Sequence, residues 1–231
     1  MDFMTGEWLG GLVAVLIVNL ILSGDNAVVI AMAARTLEGA NRRRAIIWGA
    51  AGAVILRLIF AALITVLLDI PFLQVVGGLL LIWIAWKLIH DSEPEEGKIE
   101  AGQSAWDAIK IIIVADAVMS LDNVIALVQA ARIGGEVSVS LLVIGLATTI
   151  PLVVFGAALL TSLLARFPFL VYLGAGLLVY LAIEMFFHDV FLHHYLEPYE
   201  SIEWIIGIAA ALIFTAVAWL WARRANEPHA G

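Results

Sequence analysis

The 231-residue sequence contains no cysteine, and only 14% of its residues are charged. Without thiols it has neither a disulfide framework nor a thiolate metal site. Hydrophobic residues make up 63% of the chain and the mean hydropathy is +1.04, whereas a soluble domain is about half apolar and about a quarter charged. This composition excludes a water-soluble fold and predicts an all-α polytopic membrane protein.

Several common functional signatures are also missing. The N-terminal segment MDFMTGEW contains no basic residue, so it is a poor signal peptide, and the first apolar run is expected to stay in the mature protein. The sequence has no glycine-rich nucleotide loop, no nucleophile–base spacing and no basic nucleic-acid patch. We therefore expect no enzymatic activity, no prosthetic group and no nucleic-acid partner.

Long apolar runs separated by short polar breaks predict seven membrane-spanning helices. Crossing about 30 Å of hydrocarbon takes about 20 residues of helix, and proline or glycine stands at most of the breaks. The longest hydrophilic stretch, 91–104, is predicted to be a cytoplasmic linker. The predicted spans are approximately 8–34, 45–68, 71–90, 105–131, 137–164, 168–189 and 201–222.

The basic residues predict how these spans are oriented, because lysine and arginine concentrate in the cytoplasmic loops of membrane proteins. Placing the loop 35–44 inside puts all but two of the 12 lysine and arginine residues on the cytoplasmic side. The exceptions are Arg132, which falls outside, and Arg57, which lies within the membrane. The sequence therefore predicts an outer N-terminus and a cytoplasmic C-terminus.

The chain also contains an internal repeat. The segment LSGDNAVVIAMAAR at 22–35 returns as MSLDNVIALVQAAR at 119–132, a shift of 97 residues. With one residue removed, Gly49 aligns with Gly145. Matched leucines would follow from any two membrane helices, but a shared S-x-D-N motif at equal depth does not.

Each copy of the repeat contains three spans, which is an odd number. The second copy, 105–189, must therefore run upside down relative to the first, 8–90, and the span 201–222 is left as an extra helix. An inverted 3+3 repeat is typical of secondary transporters, which bind their substrate near the membrane midplane where the two copies meet.

Both copies place an aspartate and an asparagine inside a span. An aspartate near the bilayer centre costs about 2.5–3.5 kcal/mol, so it must be paired, hydrated or bound to an ion. Carboxylate and amide oxygens suit hard cations such as Mg²⁺, Ca²⁺ or Mn²⁺; the alternative is that these residues only hold helices together by hydrogen bonds. The candidate metal ligands are Asp25, Asn26, Asp116, Asp122, Asn123, Asn19, Ser23 and Ser120.

The helical positions of these residues leave one question open. At about 100° per residue, Asp116, Ser120 and Asn123 share one face of a helix, whereas Asp122 points about 120° away from Asp116. The first copy has the same pattern. Both aspartates of the S-x-D-N motifs join one site only if the helices are broken there or if each aspartate faces a different partner. Gly24 permits a break in the first copy, but no glycine stands at the equivalent position of the second.

Two further charged residues lie within predicted spans. Arg57 is midway along the second span, too deep to reach an interface, and we expect it to pair with one of the aspartates. It is either a gate that occupies an acid when the cation leaves or a permanent structural partner. Glu184 lies near the outer end of the sixth span, where it either lines an outer vestibule or reaches the interface.

The predicted outer loop after the sixth span is rich in histidine and acid. Such a loop either gathers or releases a divalent cation in a pH-sensitive way or is an ordinary hydrated loop. The spacing matches no closed metal site, which favours the hydrated loop. The residues concerned are His188, His193, His194, Glu197 and Glu200.

The S-G-D-N motif at 23–26, the D-A-V-M-S-L-D-N motif at 116–123 and the arginine of the second span resemble the TerC family of bacterial integral membrane proteins. The resemblance covers nearly the whole chain. Members of that family are associated with manganese export and metal homeostasis, and the family name comes from tellurium resistance. The resemblance implies an Mn²⁺ exporter that uses Asp25, Asn26, Asp116, Asp122 and Asn123.

Two functions follow as hypotheses. The first is a secondary transporter in the bacterial cytoplasmic membrane that exports a divalent cation by alternating access. Its partners would be the lipid bilayer and the cation, and a homo-oligomer is compatible with the sequence. The second is a non-transporting scaffold or assembly factor in metal or tellurite stress, in which the intramembrane acids act as helix-packing glue.

Overall fold

The computed structural model describes residues 5–67, 70–90, 105–133 and 136–225, without the side chains of residues 64–66, 121–122 and 224–225. The predicted linker 91–104 and the side chain of Asp122 therefore lie outside the described residues. Within the described ranges the chain is helical apart from turns and one two-stranded antiparallel hairpin.

In chain order the elements are the helices α1 (Gly6–Ile21), α2 (Gly24–Ala34), α3 (Gly39–Leu67), α4 (Leu73–His90) and α5 (Ala105–Ala130), the strands β1 (Arg132–Ile133) and β2 (Glu136–Val137), the helices α6 (Val139–Arg166), α7 (Leu170–His188) and α8 (His193–Leu196), a 3₁₀ helix (Glu197–Ile202), and α9 (Glu203–Ala225).

Five stretches of the described residues are each long and apolar enough to cross a membrane, namely α3, α4, α6, α7 and the stretch His193–Arg223 that contains most of α9. Two more pass the same test as bent pairs, α1 with α2 and the two parts of α5. The chain thus has five to seven candidate spans, consistent with a polytopic membrane protein. The count of seven, the inverted repeat and the orientation of the termini stay predictions.

The first predicted span, 8–34, is broken at its polar motif. α1 and α2 meet at an angle of 44° on either side of Leu22 and Ser23. The Ser23 hydroxyl donates a hydrogen bond to the backbone carbonyl of Asn19, one turn earlier. Such a bond competes with the helical ladder and bends helices. The break therefore follows from the polar side chains of the motif.

The second copy of the motif is broken as well. α5 bends by 60° between Ser120 and Asn123, although Leu121 stands where the first copy has Gly24. The sequence left a break in the second copy open, and the bend occurs there without a glycine. Ser120 again bonds one turn back, donating from its hydroxyl to Oδ2 of Asp116 at 2.9 Å. What the two breaks share is the polar motif and not the glycine.

The core of the bundle is built from extensive contacts between helices. α5 packs along α3, α6 packs along α1 and α2, and α4 packs along α7, while α9 lies against α7. Glycines bring the axes close, as in soluble and membrane bundles that place small residues at crossings. A Cβ on Gly49 would lie 2.8 Å from the side chain of Ile112, and one on Gly145 would overlap Val15.

Gly145→Ala is expected to destabilise the protein by about 1–3 kcal/mol because the added methyl group overpacks the contact between α6 and α1. Val15 is completely buried there and has no room to move. The measurement is unfolding in SDS micelles followed by the fluorescence of the 8 tryptophans. Adding Val15→Ala should restore most of the loss. Gly10→Ala is the matched control, because a Cβ at Gly10 meets nothing within 4 Å; equal stability of Gly145→Ala and the control would contradict the packing.

Candidate functional site

A buried ion pair joins α3 to α5 about halfway along both helices. Arg57 and Asp116 are 3% and 4% exposed. The Nε of Arg57 donates to Asp116 Oδ2 at 3.0 Å and to Ser120 Oγ at 2.9 Å, and its Nη2 donates to Asp116 Oδ1. Bidentate pairs of this kind are the strongest side-chain hydrogen bonds in proteins. Both carboxylate oxygens of Asp116 are therefore engaged, and its charge is neutralised by Arg57.

Asn19, the repeat counterpart of Asp116, makes a different set of contacts. It is 3% exposed near the end of α1. Its Nδ2 donates to the Gly145 carbonyl at 2.6 Å and to Thr148 Oγ1 at 3.4 Å, and its Oδ1 accepts from the Thr149 hydroxyl at 2.9 Å. These bonds tie α1 to α6. The sequence reasoning missed Thr148 and Thr149, for which the available signal was a pair of adjacent threonines inside an apolar span.

At each helix break one buried amide atom has no hydrogen-bond partner among the described residues. Asn26 is 2% exposed and donates from Nδ2 to the Leu22 carbonyl at 2.6 Å, but its Oδ1 has no hydrogen-bond partner among the described residues. In the second copy the atom without a described partner is Nδ2 of Asn123, which is a hydrogen-bond donor and not an acceptor. Buried polar atoms are normally paired, because an unpaired one costs about 1–3 kcal/mol. A water molecule bound at either break would therefore satisfy a buried polar atom, and at the first break a cation could do so as well.

Asp25 lies at the start of the second half of the broken span. It is half-buried in the first turn of α2, and its Oδ1 accepts a hydrogen bond of 2.7 Å from the backbone N–H of Asn26. The partial positive charge at a helix N-terminus stabilises a carboxylate in this position. Its repeat counterpart, Asp122, lies in the bent part of α5, and its side chain is outside the described residues.

A small cavity lies beside the ion pair. Its polar lining residues are Arg57, Asp116 and Thr149, and Thr149 also bonds Asn19. The rest of the wall is apolar. Because Arg57 bonds both oxygens of Asp116, a cation in this cavity competes with the guanidinium group for the carboxylate. The apolar lining residues are Ile30, Ala50, Ala53, Val54, Ile150 and Val153.

Other predicted ligands are not brought together. Among the side chains that the structure describes, no three histidine, aspartate or glutamate residues are grouped so as to hold a metal ion. Glu184 is half-buried one turn before the end of α7, where its backbone carbonyl lies 2.8 Å from Nδ1 of His188, and it does not line the cavity beside Arg57. The ligand set as a whole stays a prediction, because Asp122 cannot be placed in it.

Comparison with known proteins decides the family. The sequence matches the Integral membrane protein TerC family over residues 4–227. The chain belongs to the TerC family. It is 39% identical over 205 residues to the uncharacterized membrane protein YjbE of Bacillus subtilis (strain 168), and the alignment covers 89% of this chain and 92% of that protein.

Two other Bacillus subtilis proteins are similar to this TerC chain over shorter stretches. The uncharacterized membrane protein YkoY is 29% identical over 163 residues, which are 64% of this chain and 50% of that protein. The uncharacterized membrane protein YceF is 34% identical over 86 residues, or 37% and 34% of the two chains. No solved structure matches the chain.

TerC membership and the apolar helices together make this a multi-pass integral membrane protein, a class compatible with membrane transport. For this TerC protein the geometry divides the polar residues into two kinds. Asp116, Ser120 and Asn19 are held in bonds between helices, whereas Asn26 and Asn123 present buried amide atoms that no described residue satisfies.

Proposed function

We propose that this TerC protein is a secondary transporter that exports a divalent cation, with Mn²⁺ favoured, across the bacterial cytoplasmic membrane by alternating access. One observation carries the proposal: both S-x-D-N motifs lie at a break in a long apolar helix, and at the first break the buried Oδ1 of Asn26, an oxygen that can ligate a cation, is bonded by no described residue. Broken helices at membrane depth are tolerated where they line a cavity, and many transporters bind ions at such breaks.

We further propose seven spans arranged as an inverted 3+3 repeat plus α9, with the N-terminus outside and the C-terminus inside. The helix contacts support this arrangement because they exchange under the repeat. α5 packs on α3 as α1 and α2 pack on α6, and α4 packs on its own counterpart, α7. The glycine contacts exchange as well, since Gly49 meets Ile112 where Gly145 meets Val15.

The proposed ion site lies between the two breaks, and contacts of both α1 and α2 with α5 support this placement. Asp25 and Asp122 would balance the two charges of the cation, while Asn26 and Asn123 would supply neutral amide ligands. Oxygen ligands suit Mn²⁺, Ca²⁺ and Mg²⁺ alike. The preference for Mn²⁺ rests on the family resemblance.

Arg57 is the proposed gate. Its guanidinium bonds Asp116 and Ser120. A cation that takes both oxygens of Asp116 would displace Arg57, and the pair would form again after release, so that occupancy of the site changes the contact between α3 and α5. A ligand can shift a conformational equilibrium only through such a difference in contacts. Glu184, near the end of α7, would line the outer vestibule.

The alternative function, a scaffold or assembly factor that does not transport, also has specific support. Asn19 is engaged in hydrogen bonds between α1 and α6, and Arg57 bonds both carboxylate oxygens of Asp116. Interhelical bonds of this kind stabilise membrane bundles without any transported substrate. In this alternative the acids only hold the helices together, and the protein takes part in metal or tellurite stress as a scaffold for other proteins.

The deciding experiment is Mn²⁺ flux into inverted membrane vesicles, in which export from the cytoplasm becomes uptake. We expect saturable uptake by the wild type and a loss of at least about tenfold in Asp122→Asn, because a ligand charge is removed. Asp107→Asn is the control, since Asp107 is an exposed acid at the start of α5 that lies 3.4 Å from Lys110. If Asp122→Asn takes up Mn²⁺ as well as the wild type does, the site assignment is wrong. A wild type that takes up no Mn²⁺, Ca²⁺ or Mg²⁺ would favour the scaffold.

A further inference from the structure

A second polar cavity lies where the start of α4 meets the end of α7, at the end of the bundle that is proposed to face outward. Gln74, His188 and Asp189 line it among apolar side chains. The turn before α4 is held against the turn after α7 by Phe72 and Phe191, whose ring centroids are 4.4 Å apart. This cavity is separate from the one beside the ion pair, with which it shares no lining residue.

Asp189 is almost completely buried in this cavity wall, with 1% of its surface exposed. Its Oδ1 accepts hydrogen bonds from the backbone N–H groups of Phe191 at 3.0 Å and Leu192 at 3.3 Å, and so holds the turn after α7. Its Oδ2 is buried and has no hydrogen-bond partner among the described residues. One oxygen of the carboxylate therefore has a structural use, and the other has none in the part of the chain that the structure describes.

The charged groups around the turn pair with one another instead of with Asp189. Nδ1 of His188 lies 2.8 Å from the Glu184 carbonyl and 3.8 Å from the Glu203 carboxylate. Nδ1 of His193 lies 3.4 Å from the Glu200 carboxylate. The ion pairs found among the described residues do not include Asp189. A buried carboxylate with neither a counter-charge nor full hydrogen bonding is strongly unfavourable, so this position favours the binding of a cation from solution.

We propose that the Asp189 carboxylate, with Gln74 and His188 in the same cavity, binds a divalent cation at the outer end of the bundle. Carboxylate, amide and imidazole groups suit a divalent transition or alkaline-earth ion. Because the site has one carboxylate, the ion keeps several of its water molecules and binds weakly. Weak binding is what an exit site needs. That role rests on the proposed export function, whereas the site itself does not.

The test is a titration of the purified full-length protein in detergent micelles with Mn²⁺ alone, followed by the electron paramagnetic resonance signal of the free hydrated ion. Asp189→Asn keeps an acceptor for the N–H groups of Phe191 and Leu192 but removes the charge. We expect the affinity of one class of bound Mn²⁺ to fall at least about tenfold in this variant. Glu200→Gln removes a neighbouring acid that is 51% exposed, and this control should titrate as the wild type does.

A titration of folded Asp189→Asn that matches the wild type would overturn the site. If that variant does not fold, anomalous-scattering maps of wild-type crystals grown in saturating Mn²⁺ decide the question. A peak beside the Asp189 carboxylate supports the site, and the lack of one there overturns it. Asp25→Asn separates this proposal from the transport proposal, because it should abolish flux and keep the Asp189-dependent class. A wild type without flux that retains the class would refute export and leave the site standing.

Discussion

Arg57→Gln is expected to lower the free energy of unfolding by about 3–5 kcal/mol, because it leaves a buried carboxylate without its counter-charge. In the wild type Arg57 and Asp116 are almost fully buried, and the guanidinium bonds both carboxylate oxygens as well as the Ser120 hydroxyl. Glutamine is shorter and uncharged, so it cannot neutralise Asp116. The loss is measured in SDS micelles as the shift of the unfolding curve followed by tryptophan fluorescence.

The double variant Arg57→Gln/Asp116→Asn is the control for this prediction. With both charges removed, the remaining amides can bond each other, so the double variant should be more stable than either single variant. Residues in direct contact typically show coupling energies of about 0.5–3 kcal/mol, and we expect a value near the upper end. If the stability losses of the two single variants simply add up in the double variant, the ion pair is contradicted.

Transport by the same double variant distinguishes the two roles of Arg57. If Arg57 is a gate, the double variant folds but does not move Mn²⁺ into inverted vesicles. If the pair is a permanent structural link, the double variant transports at the wild-type rate once its stability is restored. The comparison requires equal amounts of folded protein in the vesicles, which size-exclusion chromatography of the solubilised membranes measures.

Asn19→Asp is expected to lower the free energy of unfolding by about 3 kcal/mol, even though an aspartate occupies the equivalent position of the second copy. Asp116 is tolerated because Arg57 stands beside it. The repeat counterpart of Arg57 is Val153, an apolar residue that is 3% exposed. An ionised carboxylate at position 19 would therefore have no repeat-related counter-charge, and it could no longer donate to the Gly145 carbonyl.

The matched control is Asn19→Ala, which removes the same hydrogen bonds without adding a charge. Bonds between membrane helices are worth about 1–2 kcal/mol at most, so this variant should be clearly more stable than Asn19→Asp. Both are measured by the same unfolding curve. Equal stability of the two variants would mean that the surroundings of Asn19 accept a charge. That result would contradict the inference that only the second copy can hold a carboxylate at this position.

The sequence by itself determined the class of the protein, its family and the positions of its intramembrane polar residues. The polytopic helical prediction is confirmed by the candidate spans, and the TerC assignment is confirmed by the match over residues 4–227. The first depends on local composition, because about 20 consecutive apolar residues need no tertiary context to be recognised. The second depends on the two S-x-D-N motifs and the arginine of the second span, which resemble that family. The two S-x-D-N motifs could be recognised in the sequence because polar residues stand out within long apolar runs.

The tertiary structure alone decided which polar groups meet. Helical spacing placed Asp116 and Ser120 on one face, but only the packing of α5 on α3 brought Arg57 to that face. In the same way the packing of α6 on α1 gave Asn19 its threonine partners, and the turn after α7 buried Asp189. Spacing along one helix fixes relative directions around its axis. The rotation of each helix against its neighbours is set by side-chain packing between distant segments, which no single segment contains.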